Sequence, residues 1–208
     1  MTHAFDKDYW NQHWHQQHGD SPASLASEPP NPYLPRETGD LAVGRALDAG
    51  CGAGAEAIWL AAHGWRVTAV DIAAEALAVA TERAANSGMA GHVQWIEADL
   101  TVWDPGTRFD LVTTHYAHPT MPQLAFYDRI AAWVAPGGTL LIVGHLHTSA
   151  AVGHGHHPPA EASITLADIT ARLDPAQWEI TTAEEQLRTV AGRTVPLHDV
   201  VVRATRRA

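Results

Sequence analysis

The sequence predicts an α/β fold: a mostly parallel sheet with helices on both faces and an antiparallel hairpin at its edge. Three observations carry this. From about residue 45, short apolar segments alternate with helix-like ones, as strand–helix units do. Leu111-Val112 and Leu140-Leu141-Ile142-Val143 are unbroken apolar runs, the mark of strands covered on both faces. Trp178 to Thr182 and Leu197 to Thr205 then read as strands with no helix of ordinary length between them, so they pair antiparallel.

The elements follow in order. Residues 1 to about 18 read as a helix. Phe5, Tyr9 and His13 are spaced by four, as are Trp10 and Trp14, which gives a broad aromatic face. Residues 19 to 40 hold Pro22, Pro29, Pro30, Pro32 and Pro35. Proline at that density excludes regular helix and central strand, so the segment reads as an ordered loop or linker. Arg45 to Ala49 is a strand, and Gly54 to His63 a helix ended by Gly64. Trp65 to Asp71 is a strand. Ala73 to Asn86 is a helix stopped by Asn86-Ser87-Gly88. His92 to Glu97 and Arg108 to Thr114 are strands. Thr120 to Val134 reads as a helix, with Thr120 and Gln123 at capping-box spacing. Ala135-Pro136-Gly137-Gly138 is a turn, Thr139 to Gly144 a strand, and Thr165 to Leu173 a short helix. Residues 148 to 163 read as an insertion, a flap near the substrate side.

A chain of 208 residues suits one domain and buries a core without staples. With 46 % hydrophobic and 17 % charged residues the composition is globular. A formal charge of −10 disfavours nucleic acid and anionic membrane, which call for clustered cations. Arg203, Arg206 and Arg207 form the basic cluster and read as a solvated tail. A single cysteine excludes an intrachain disulfide. The start, Met1 to Gln17, has no apolar core of a signal peptide, and no run approaches the ~20 residues of a membrane span. The expected location is cytoplasmic, as a monomer or homodimer.

The chemistry concentrates at Asp48-Ala49-Gly50-Cys51-Gly52-Ala53-Gly54, between a strand and a helix. Glycines there let the backbone turn tightly and approach a ligand. Free N–H groups at the helix start suit an anionic or polar ligand, so a nucleotide-like cofactor is expected. Gly50-x-Gly52-x-x-Ala55, with Asp71 about 20 residues on, also satisfies the dinucleotide fingerprint, which keeps an NAD-linked oxidoreductase open. Three features argue against it. Asp48 is an acid that a dinucleotide site does not require. The antiparallel hairpin is not a second mononucleotide-binding half. No stretch remains for a separate dehydrogenase substrate domain.

Leu47-Asp48-Ala49-Gly50-Cys51-Gly52-Ala53-Gly54, Val70-Asp71-Ile72, Glu97-Ala98-Asp99-Leu100, Phe109-Asp110-Leu111-Val112 and Ala135-Pro136-Gly137-Gly138-Thr139-Leu140 stand in one order over residues 40 to 205. In this the chain resembles the class I S-adenosylmethionine-dependent methyltransferases. Glu28-Pro29-Pro30-Asn31-Pro32-Tyr33-Leu34 is similar to a segment of the small bacterial type, such as the tellurite-resistance and thiopurine methyltransferases. The resemblance implies a Rossmann-like seven-stranded sheet with an antiparallel last strand. It implies S-adenosyl-L-methionine as donor and S-adenosyl-L-homocysteine as product. The acceptor is expected to be a small molecule with an O, N, S or metalloid nucleophile. Residues 1–40 become an aromatic lid helix with a Pro-rich segment, and 41–208 the methyltransferase domain.

Carried over by position, Gly50, Cys51, Gly52 and Gly54 pass under the methionine and ribose, with Asp48 serving the cationic methionine moiety. Asp71 accepts from the ribose hydroxyls, Ile72 packs on the adenine, and Asp99 and Leu100 lie near its amino group and ring. Trp10 and Trp14 close over the cofactor. Each has a plainer reading beside it: Asp71 as cap of the next helix, Asp99 as a loop cap, Cys51 as a small packed residue, the aromatic face as core. Cys51 also sits near a helix start, which lowers a thiol pKa. His115, Tyr116 and His118 after the fourth strand, and His145 and His147 after the fifth, lie where an acceptor would bind. His115, Tyr116 and His145 are the catalytic candidates, with His115 also able to touch the cofactor. Among 14 histidines, His13-x-His15-x-x-His18 and His154-Gly155-His156-His157 have metal-like spacing, but no cysteine or carboxylate cluster completes a site and no metal is expected. A non-catalytic cofactor- or metal-binding protein is the remaining alternative.

Overall fold

A computed structural model describes residues 5–20, 29–146, 164–189 and 196–208. His147, the expected insertion at 148–163 and its histidines lie outside these residues, as does the side chain of His18.

The chain order is α1 (Lys7–Asp20), α2 (Tyr33–Thr38), β1 (Arg45–Ala49), α3 (Ala55–Ala62), β2 (Arg66–Asp71), α4 (Ala74–Asn86) and β3 (Val93–Glu97). Then come β4 (Phe109–His115), α5 (Gln123–Ala131), β5 (Val134–His145), α6 (Leu166–Ala171), β6 (Trp178–Arg188) and β7 (Leu197–Arg206). The strands form one sheet in the order β3-β2-β1-β4-β5-β7-β6. β1 to β5 pair in parallel, whereas β7 runs antiparallel to both β5 and β6. This is the mostly parallel, seven-stranded sheet with an antiparallel last strand that the sequence predicts.

Side-chain alternation splits the core into two layers, one on each face. Leu47, Val112, Leu140, Ile142 and Val202 pack with Phe126 and Ile130 of α5 and Ile169 of α6. Their strand neighbours Ala46, Leu111, Leu141, Val143 and Val201 pack with Leu34 of α2, Leu60 of α3 and Leu77 of α4. Helices on both faces bury the central strands completely, which is why those strands read as continuous apolar runs.

Four expectations are corrected. The Pro-rich segment does contain a helix, because Pro35 sits in the first turn of α2, where its missing N–H costs nothing. α5 starts at Gln123 rather than Thr120, behind Pro122, and no side chain caps it. A residue before proline is pushed out of the helical region, so Met121 cannot extend the helix and the Thr120 capping box does not form. Ala135 to Gly138 is a bulge within β5, with Phe109 paired to Val134 but Leu111 to Thr139. Arg203 and Arg206 belong to β7 rather than a solvated tail, and Arg203 pairs bidentately with Asp40 at 2.9 and 3.0 Å.

Candidate functional site

Beyond the carboxyl ends of β1 to β4 lies a cavity of about 710 Å³. Its floor is the glycine turn between β1 and α3. Gly50 and Gly52 have φ of 79° and 49°, in the left-handed region. A Cβ on Gly50 would stand 2.4 Å from Ala117 Cβ, and one on Gly52 would stand 2.9 Å from Trp14 Cζ2. Both positions therefore need glycine for conformation and for space. The turn's amides are used internally: Gly50 and Cys51 donate to Val70 O, Gly52 to Asp71 Oδ2, and Gly54 to Cys51 O. These four turn amides are therefore not free for a ligand. Gly50, Cys51 and Gly52 line the cavity. Gly54 does not; a Cβ there would meet the Trp95 ring at 2.5 Å, so this glycine serves packing.

Two strand-end acids reach the same cavity. Asp71 Oδ2 accepts from Gly52 N (2.8 Å) and its Oδ1 from Ala73 N (2.9 Å), which fixes the carboxylate at the end of β2. Burial raises its pKa, and those N–H groups oppose the rise. Asp99 Oδ1 accepts from Thr101 N at 2.8 Å. Both acids are thus local caps and cavity-lining residues at once, beside Ile72 and Leu100. Asp48 stands behind the turn, off the cavity wall, 1 % exposed and with Oδ2 unpartnered. Burial pushes its pKa well up, and the carboxylates of Glu56 and Asp71 add to that. The Cys51 thiol is likewise pushed well up by burial and by Asp71 and Asp48, the reverse of the lowering expected at a helix start.

The opposite wall follows β4. His115 and Tyr116 line the cavity, as does His118. His115 Nε2 is buried without a partner, while Nδ1 stands 3.4 Å from Thr113 Oγ1. Burial lowers its pKa, so the imidazole is neutral near pH 7. His118 is lowered to about 4, first by burial. Tyr116 has φ 57°, the only described residue other than glycine with positive φ. Its hydroxyl accepts from Asn31 Nδ2 (3.0 Å) and Arg188 Nη2 (2.9 Å), and burial raises its pKa. His145 does not reach the cavity wall. It lies flat against the Tyr116 ring, 3.9 Å between centroids at 13°, with Nδ1 3.3 Å from Asp199 Oδ1.

α1 covers the mouth. Trp14 rests over Gly52, and Trp10 Nε1 donates to His118 O at 3.2 Å. Phe5 stacks on Trp10 and approaches His118, and Lys7 pairs with Glu97. Trp10, Trp14 and Phe5 line the cavity, whereas Tyr9 does not.

Asn31, Glu56 and Arg188 also belong to this wall and were not singled out by the sequence. Glu56 Oε1 accepts from Asn31 N at 2.8 Å, which ties the Pro-rich segment to α3. Asn31 sits between prolines and Arg188 lies more than a hundred residues from the glycine turn, so neither carries a local signal. No group of metal-binding side chains occurs among the described residues, and none of their helices is long and apolar enough to cross a membrane.

A family model described as a methyltransferase domain matches residues 46–138. The chain is 46 % identical over 108 residues to a ribosomal RNA small subunit methyltransferase C of Alcanivorax borkumensis, covering 49 % of this chain and 32 % of that protein. It is 28 % identical over 137 residues to a probable thiol methyltransferase 2 of Arabidopsis thaliana, covering 64 % and 59 %. It therefore spans less than two thirds of either curated relative. A crystal structure of magnesium protoporphyrin IX methyltransferase from Synechocystis PCC 6803 with bound SAM superposes with a TM-score of 0.67 at 16 % identity, over 100 % of both chains. That likeness is one of fold.

Proposed function

We propose that the chain, whose residues 46–138 match a methyltransferase domain, is a class I S-adenosylmethionine-dependent methyltransferase that methylates a small-molecule acceptor. The supporting observation is convergence: the glycine turn, Asp71 and Ile72 after β2, Asp99 and Leu100 after β3, and His115 after β4 line one covered cavity. The residues fit the donor. Asp71 keeps acceptor capacity beyond its two amide bonds for a vicinal diol. Gly50 and Gly52 bring bare backbone to the cavity, and Ile72 and Leu100 add apolar lining with the Asp99 carboxylate beside them. The donor, when bound, supplies an activated methyl group to an in-line nucleophile. What the protein adds is alignment and exclusion of water. Trp10 and Trp14 serve as the lid, so residues 1–40 and 41–208 act as cover and catalytic domain. His115 Nε2, neutral and unpartnered, is positioned to accept a proton or hydrogen bond from the acceptor.

A covered cavity of this volume suits a molecule of metabolite size rather than a stretch of polymer. The formal charge of −10 points the same way, against nucleic acid. Calorimetry with S-adenosylhomocysteine and with NAD tests the donor. Saturable binding of the first alone is expected; binding of NAD instead overturns the reading. Methyl transfer to low-molecular-weight thiols, phenols or amines, and not to RNA, tests the acceptor class.

A further inference from the structure

The next inference rests on the reading above and concerns the acceptor. Charged side chains of both signs line the cavity: Glu56, Asp71, Asp99 and Arg83, and Arg188, which enters from β6 beside Tyr116. A guanidinium carries five N–H donors. Arg188 Nε donates to Asp199 Oδ2 at 2.8 Å, and Nη2 donates to the Tyr116 hydroxyl at 2.9 Å. Its remaining N–H groups have no partner among the described residues, on a side chain that is 24 % exposed.

The arginine is held from behind. Asp199 is fully buried and balances its charge, so the cation is kept without any ligand. Tyr116 is fixed by its own stack with His145 and by the Asn31 amide. A fork clamped on one edge and open on another matches a carboxylate in two parallel hydrogen bonds. We propose that Arg188 docks a carboxylate of the acceptor, which makes the acceptor an anionic small molecule and Arg188 its specificity-determining residue. Tyr116 is the positioning residue that aims the fork.

The carboxylate of the methyl donor is the other possible source of this chemistry, and the experiment separates the two. Benzoate and benzamide are titrated calorimetrically into protein saturated with S-adenosylhomocysteine. The proposal expects benzoate to bind at least about tenfold more tightly. It expects that preference to vanish in Arg188→Gln combined with Asp199→Asn, a pair that leaves no buried charge uncompensated, with affinity for S-adenosylhomocysteine retained. Arg188→Lys, which keeps the charge but loses the fork, retains a reduced preference and serves if the double variant fails to fold. Equal affinity for the two probes overturns the proposal, and so does a preference that survives in the double variant. Loss of S-adenosylhomocysteine affinity alongside the preference assigns Arg188 to the donor and also overturns it. If wild-type protein takes up no S-adenosylhomocysteine, the methyltransferase reading fails instead, and benzoate against benzamide on the protein alone decides the role of Arg188.

Discussion

Asp48 carries a cost that its neighbours relieve only in part, through the Ala57 amide. It is 1 % exposed, Oδ2 has no partner, and Glu56 and Asp71 are like charges nearby. Its pKa in the fold is raised, so the folded protein is penalised by its ionisation. That penalty is absent below the unfolded pKa of an aspartate, about 4, and grows as pH rises above it towards the folded pKa. Asp48→Asn, of the same shape, should therefore be more stable than wild type at about pH 8, and the gap should close towards about pH 4. Urea melts at both pH values check this; a gap independent of pH would mean that Asp48 is not the source. Asp71 calls for the opposite test. Asp71→Ala removes an acceptor of charge-assisted hydrogen bonds, and S-adenosylhomocysteine should bind at least about tenfold more weakly, roughly 1.5–3 kcal/mol per bond lost. Unchanged affinity by calorimetry would remove the ribose role.

The N-terminal helix α1 gains its place through two contacts at the cavity, Trp14 over Gly52 and Trp10 on the His118 carbonyl, and one outside it, Lys7 on Glu97 at the end of β3. Trp14→Ala should leave the melting temperature within about a degree or two, since this ring covers the cavity mouth rather than filling the core. It should speed dissociation of S-adenosylhomocysteine in stopped-flow measurements; an unaltered off-rate would make α1 packing and not lid. At α6 the Thr165 hydroxyl accepts from Asp168 N at 3.1 Å while the Asp168 carboxylate accepts from Thr165 N at 3.2 Å. Thr165→Ala should cost about 1 kcal/mol in denaturant unfolding. Most elements were legible because their signals are local: a period, a cap, a glycine stop. Where the reading slipped, local rules competed. Thr120 and Gln123 have capping-box spacing, but the intervening Pro122 moved the start. Pro35 reads as a breaker until its place in the first turn is known. The glycine turn, Asp71 and Asp99 were legible as cavity residues because each ends a strand. Asp48, Gly54 and His145 were placed on the site by proximity in sequence, and burial behind the turn or behind Tyr116 removed them from its wall. Arg188 was illegible because its partners, Tyr116 and Asp199, come from the turn after β4 and from β7.

At the scale of the molecule, two sheet halves meet at the site. The ends of β1 to β4 carry the glycine turn, the two acids and His115, while β6 supplies Arg188 to the cavity and β7 the buried Asp199 behind it. If both halves hold one ligand set, S-adenosylhomocysteine should raise the melting temperature in proportion to the logarithm of its excess over Kd. Trp10 and Trp14 fluorescence should change along the same saturation curve. A change in melting temperature with no change in those two indoles, seen by single Trp→Phe replacements, would place the ligand elsewhere. The position of β7 also has a consequence for biosynthesis. It follows the other described strands in the chain, yet it lies between β5 and β6. A nascent chain halted near residue 190 would already carry the complete glycine turn and both strand-end acids. It would still have an unpaired β5 edge, and an arginine without its buried aspartate. Emergence of residues 197–206 from the ribosome therefore decides when the sheet closes. Until then the exposed edge is open to chaperones, and to other nascent copies, as a template for strand pairing.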